Sequence, residues 1–96
     1  MPTDISFDQQ KSLKNLAERG LPFDWVDELE WASALIHQDL RWDYGEPRYQ
    51  VLGLIRGRLH AMVFTPRNDK VHVISLRKAN LREIARYALN QKDTAA

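Results

Sequence analysis

The run from Val71 to Tyr87 leaves this chain the least freedom. Val71, Val73, Ile74 and Leu76 crowd into six residues, and their β-branched members favour extended backbone, so the segment predicts a buried strand. Asn80 and Glu83 then have the spacing of a capping box, in which each side chain satisfies a backbone N–H of the first helical turn. From there Leu81, Ile84, Ala85 and Ala88 follow i, i+3, i+4, i+7 and predict one packed face, while Arg82, Arg86 and Asn90 recur on another. A strand feeding a capped helix with basic charge at the junction constrains the fold and points to where chemistry sits.

The 96 residues suffice for one small domain with one core. The chain is 44% hydrophobic and 28% charged, in the range of globular proteins rather than disordered or membrane chains. Absence of cysteine removes disulfides, thiolate metal ligands and a cysteine nucleophile. No apolar run reaches the roughly 18 residues of a spanning helix, and Met-Pro-Thr-Asp lacks the features of a signal peptide, so no membrane and a cytoplasmic setting are expected. The net charge of +1 conceals an asymmetry: residues 24–46 carry seven acids against one base, and residues 67–96 carry seven bases against three acids. This predicts a basic face for phosphates and an acidic face for a basic partner, or else two solvated surfaces.

Along the chain, residues 8–19 predict a helix capped by Asp8 and stopped by Gly20, with Leu13, Leu16 and Ala17 as a thin buried stripe. Asp24 is placed to cap a second helix from Trp25 to about Ala32. Four strands are then expected, over 34–40, 48–55, 58–65 and 71–76. The second and third meet at the Arg56-Gly57 turn, and Pro66 to Asp69 forms another turn. Trp42 and Tyr44 occupy a polar loop, where they either contact bases or a protein partner, or fold back as a lid on the core. The order predicts an α+β fold with two N-terminal helices, a four-stranded, largely antiparallel sheet and a C-terminal helix. One domain spans 1–96, its tail fraying from about Gln91.

No metal or nucleotide fingerprint is present, and no cofactor is expected. His37, His60 and His72 fall on different predicted strands without ligand spacing, and Ser75 has no adjacent His to activate it. What remains is a set of arginines with a carboxylate and a phenol. Alternation predicts Val71, Val73, Ser75 and Arg77 on one strand face, and i, i+4 spacing brings Glu83 near Tyr87. Guanidinium forks suit phosphate, and cleavage through the 2′-OH of RNA needs a base, cations and an acid but no metal. The plainer reading makes Glu83 a cap and Arg82 and Arg86 a solvated face.

Ile74 to Glu83, followed by Arg86-Tyr87, resembles the C-terminal signature of the BrnT toxins of type II toxin-antitoxin systems. Asn15 to Gly20, Phe23, Tyr44-Gly45-Glu46-Pro47-Arg48, Leu52-Gly53 and Phe64-Thr65-Pro66-Arg67 follow the order of that family, so the likeness covers about residues 5–88. Where many members have Lys-His-Gly this chain has Glu18-Arg19-Gly20, and no role of that histidine carries over. The resemblance implies a RelE-like ribonuclease fold, a toxin that cuts RNA and inhibits translation, and neutralisation by a BrnA-like antitoxin in a toxin-antitoxin heterotetramer that contacts operator DNA through the antitoxin. By similarity Arg48, Arg67, Arg77, Lys78, Glu83, Arg86 and Tyr87 are candidates for toxicity. We expect Arg48, Arg67 and Arg77 at phosphate, Glu83 or Tyr87 in proton transfer, and Lys78, Arg82 and Arg86 in RNA binding. Trp42 and Tyr44 are the expected partner contacts. The alternative is a non-catalytic module that binds RNA or the antitoxin.

Overall fold

In the computed structural model, which describes residues 4–94, β5 (Lys70–Lys78) pairs antiparallel with β4 (Arg58–Arg67) on one side. On its other side lies β1 (Ile5–Phe7), parallel to it. Beyond β4 come β3 (Tyr49–Ile55) and β2 (Leu35–Gln38), both antiparallel, giving a five-stranded mixed sheet of order β1-β5-β4-β3-β2. The α+β class and the run of three hairpin connections agree with the sequence. The strand count does not, because β1 is only three residues long and has no alternation of its own to detect.

Turn chemistry acts as expected at Arg56-Gly57, where both residues adopt the positive φ that a two-residue hairpin requires. The next turn is shorter than expected: Asn68 and Asp69 carry it at positive φ, and Pro66 remains in β4 opposite Val71. The missing N–H is tolerated because β3 ends at Tyr49, opposite Phe64, which leaves that edge of β4 unpaired beyond this point.

The helix α1 (Gln9–Arg19) has the anticipated caps, with Asp8 Oδ1 accepting from Gln10 N and Gly20 closing at φ 71°. Its orientation is the reverse of the expected one. Ser12 and Asn15 are buried, whereas Leu13 and Leu16 are 55% and 45% exposed. Asn15 Nδ2 donates to Leu21 O (2.7 Å) and Leu76 O (2.9 Å), and Phe23 N donates to Ser12 Oγ (2.9 Å), so polar bonds dock this helix.

The second helix is also corrected. Two 3-10 segments, Phe23–Glu28 and Trp31–Ser33, replace it, and Pro22 rather than Asp24 holds the first N-terminal position. Three residues per turn suit Phe23, Val26 and Leu29, all buried at i+3 spacing. They pack with Val51, Ile55, Met62, Val71, Val73 and Leu76 as the core on one sheet face. On the other face Leu52, Leu59 and Ala79 form a smaller cluster that Tyr87 of α2 (Leu81–Thr94) covers. The expected frayed tail overlaps this helix, and residues 95–96 lie outside the described residues.

A break in the β4·β5 register settles which residues face which way. Val63 is opposite Ser75 and Phe64 is opposite Val73, so Ile74 is an extra residue in β5. Val71 and Val73 therefore share the main core with Leu76, while Ser75 and Arg77 turn to the face that carries α2. The expected common face for all four is thus divided by one bulge.

Candidate active site

The junction after β5 is built by two capping bonds and an ion pair. Glu83 N donates to Asn80 Oδ1 and Asn80 N donates to Glu83 Oε1, each at 2.9 Å, completing the capping box. The same carboxylate takes both terminal nitrogens of Arg77, at 2.7 and 2.9 Å. Arg77 reaches it because the Ile74 bulge sets the strand's phase, so a strand end and a helix start are clamped together.

Beside this pair lies a cleft of about 240 Å³, lined by Arg41, Gln50, Ala61, Val63, Ser75, Arg77, Glu83 and Arg86 among others. Its floor is the sheet face of β3, β4 and β5, one wall is the first turns of α2, and Arg41 reaches in from the loop after β2. Three guanidinium groups thus border one concavity with a single carboxylate. Hydrogen bonding from Arg77 holds the Glu83 carboxyl below the usual carboxylate range, burial opposing and the Asn80 N–H assisting. Glu83 is therefore ionised at neutral pH, a proton acceptor rather than a donor.

Arg41 is oriented by Asp39, whose buried carboxylate accepts from Arg41 Nε and Nη2 and from Tyr44 Oη, each within 3.0 Å. Those bonds, the guanidinium ones first, lower the Asp39 pKa and raise that of Arg41. Tyr44 is folded inward with Arg48 4.2 Å above its ring. Trp42, two residues earlier, is 71% exposed. The loop thereby splits the two aromatics, one packed internally and one in solvent.

Arg48 and Arg67 form a second basic group. Arg67 pairs with Glu46 at 3.0 Å, and Glu46 is lowered chiefly by that bond, with Arg48 and His72 also acting on it. Thr65, two residues before Arg67, is opposite His72, whose ring bonds Ser6 Oγ at 2.9 Å. Arg67 is six residues along β4 from Ala61, the residue opposite Arg77. At roughly 3.3 Å per residue the Arg67 and Arg77 backbones are about 20 Å apart along the strand, whereas Arg48 lies two residues from Gln50 of the cleft.

The remaining candidates fall outside the cleft. Lys78 follows Arg77 and by alternation occupies the opposite face, across from His60. Arg82 is exposed on α2. Tyr87 is anchored behind the cleft, its Oη donating to Ser33 Oγ at 3.1 Å while its ring packs on the Leu52 cluster. Arg41 and Gln50 were not singled out by sequence reasoning. Arg41 was concealed in the acidic segment, although its position two residues after Asp39 is a usable signal. Among the described residues no group of three or more His, Asp or Glu side chains is placed to hold a metal ion, and no helix is long and apolar enough to cross a membrane.

A mixed sheet whose open face gathers guanidinium groups around one ionised carboxylate defines a small α+β protein suited to receive a phosphate-bearing ligand. Residues 7–83 match the model of a specific family, described as the ribonuclease toxin, BrnT, of the type II toxin-antitoxin system, and the chain belongs to that family. It is a ribonuclease toxin by descent, with an antitoxin as the partner that such a system implies. Comparison with curated proteins finds no match.

Proposed function

We propose that the chain is an endoribonuclease that cleaves RNA without a metal, through the RNA's own 2′-OH, and so inhibits translation in the cytoplasm. The observation that carries this reading is the Arg77–Glu83 pair on the rim of a cleft that also presents Arg41 and Arg86. A phosphodiester entering the cleft competes with Glu83 for Arg77. Once Arg77 turns to the phosphate, the Glu83 carboxylate is released as a base within reach of the adjacent 2′-OH. Glu83 takes the 2′ proton, the 2′ oxygen bonds to phosphorus, and the bond from phosphorus to the 5′ oxygen breaks. The 5′ oxygen takes a proton from water, leaving a 2′,3′-cyclic phosphate and a 5′-OH. Arg77 and Arg86 bear the charge that develops on the non-bridging oxygens, and Arg41, held by Asp39, fixes the incoming strand.

Arg48 and Arg67 then serve the RNA path rather than the cut, together with Arg82 and the exposed Trp42. Lys78 binds outlying phosphate from the opposite face. Tyr87 positions α2 and takes no proton.

Incubation of the partner-free protein with total RNA in excess EDTA tests this, with Arg77→Ala prepared in parallel. New fragments ending in 2′,3′-cyclic phosphate are expected, and Arg77→Ala should lower their yield about 10²- to 10³-fold, the usual effect of removing one donor to a developing oxyanion. Fragments from both preparations alike would exclude Arg77. RNA retained without new ends, even with ribosomes added, would leave the non-catalytic module.

A further inference from the structure

The α2 helix sits on the sheet by its polar side. Glu83 and Tyr87 face inward with Asn90 and Gln91, and the helix is tied down by the Arg77 pair, the Tyr87 bond to Ser33 and a bond from Gln91 Nε2 to Ser33 O at 2.9 Å. Its apolar side faces out. Leu81 is 85% exposed, Ile84 42% and Leu89 62%, with Ala85 and Ala88 exposed between them. These five follow helical spacing and form one continuous stripe about 12 Å long at a rise of about 1.5 Å per residue. Arg82 and Arg86 run along one edge, one turn apart, and Arg86 also lines the cleft. An exposed apolar stripe with basic charge along one edge is suited to a protein contact.

We propose that the outward face of α2 is the docking surface for an acidic amphipathic helix of the cognate antitoxin, seated on Leu81, Ile84 and Leu89 with its carboxylates on Arg82 and Arg86. The partner's identity rests on the toxin reading; the surface rests on the exposed stripe. Charge chooses the occupant. A second copy docked α2 on α2 would bring a basic edge against a basic edge, and one docked through the exposed Leu13 and Leu16 of α1 would bring Lys11 and Lys14. An acidic helix finds complementary charge on α2, with apolar residues at i, i+3 or i+4 and i+7 and Asp or Glu at i and i+4 along one side. The stripe adjoins the cleft through Arg86, so the docked helix takes Arg86 from phosphate and neutralises the toxin by occupying its guanidinium.

Leu81→Glu and Leu89→Glu test the surface, since both side chains stand in solvent and neither belongs to the cleft. Calorimetric titration of the purified antitoxin should show at least a 100-fold loss of affinity for each, with Leu13→Glu unchanged and all three variants melting like the wild type. In cells, the antitoxin should neutralise the wild type and fail against Leu89→Glu. In a competition assay, excess antitoxin should release RNA bound to the wild-type chain. Unchanged affinity in both α2 variants, a loss confined to Leu13→Glu, no binding by the wild type, or self-association abolished by Leu89→Glu while antitoxin binding persists would each overturn the docking surface. RNA held together with the antitoxin would overturn the occlusion. Binding is read without RNA, so a chain that cuts nothing yet loses the antitoxin on Leu89→Glu leaves this inference standing and fails the ribonuclease reading alone.

Discussion

Glu83 closes a capping bond and an ion pair with one carboxylate, and the two functions separate under substitution. Glu83→Gln keeps an acceptor for the Asn80 N–H but loses the charge that pairs with Arg77, so the helix should still start while cleavage falls by at least 10²-fold in the RNA assay. The pair's contribution to stability is modest, about 0.5 to 1 kcal/mol, because the Arg77 side chain is 44% exposed and solvent screens it. Its pH dependence follows from the lowered Glu83 pKa. The contribution is complete above the unfolded value near 4.3 and is lost as pH falls through the folded value, so the melting temperatures of wild type and Glu83→Gln should converge in acid. Asn15 makes the opposite point about legibility. Its amide donates to carbonyls six and 61 positions away, partners that no local pattern reveals. Asn15→Ala should cost about 1 to 3 kcal/mol by leaving buried carbonyls unpaired, whereas Leu13→Ala should change stability by less than about 0.5 kcal/mol. Urea unfolding of the two variants measures that inversion directly.

Among the elements, those defined by local chemistry were readable and those defined by distant packing were not. The capping boundaries of α1 and α2 and the Arg56-Gly57 hairpin depend on residues within a few positions of one another, and they form as expected. Both helices, however, turn their apolar stripes outward, because hydrophobic periodicity identifies a face without naming what covers it. The segment 23–33 follows the same lesson: Phe23, Val26 and Leu29 select three residues per turn because the core lies on that side, although local spacing also fits a longer helix. The Ile74 bulge arises between two strands and is invisible in either alone. For α2, Tyr87 is the apolar anchor. Tyr87→Phe should lose about 0.5 to 1.5 kcal/mol with the Ser33 bond and keep cleavage within a few-fold, since the ring still packs. If a folded Tyr87→Phe variant stopped cutting, the phenol would belong to the chemistry rather than to the seat of the helix.

Across the whole molecule, the charge asymmetry along the chain is partly resolved by pairing in space. Glu28 meets Arg56 and Glu46 meets Arg67, so acids of residues 24–46 are neutralised by bases from β-hairpins, while Arg86 and Arg82 remain available on α2. Two histidines couple stability to pH. Burial pushes His60 and His72 below the usual histidine range; at His60 the bond to the Arg58 carbonyl opposes this while the Arg58 and Lys78 charges add to it, and at His72 Arg67 adds to it and Glu46 opposes. The folded chain therefore binds fewer protons than the unfolded chain between the lowered values and about 6.5, and stability should fall as pH drops through that window. Thermal unfolding at pH 7.5 and 5.5 should show the lower Tm at 5.5; equal values would contradict imidazoles held neutral by the fold. By itself the sequence determined the caps of the two α-helices, the Arg56-Gly57 turn, the long strands, the α+β class and the family signature around Arg77 and Glu83, because each is set by residues close along the chain. Only the tertiary structure decided that a bulge points Arg77 to the α2 side, that Arg41 joins the cleft, that Arg67 stands apart from it, and that both helices turn their apolar stripes outward. Those outcomes depend on register and on which surfaces meet, and distance in space is not written in distance along the chain.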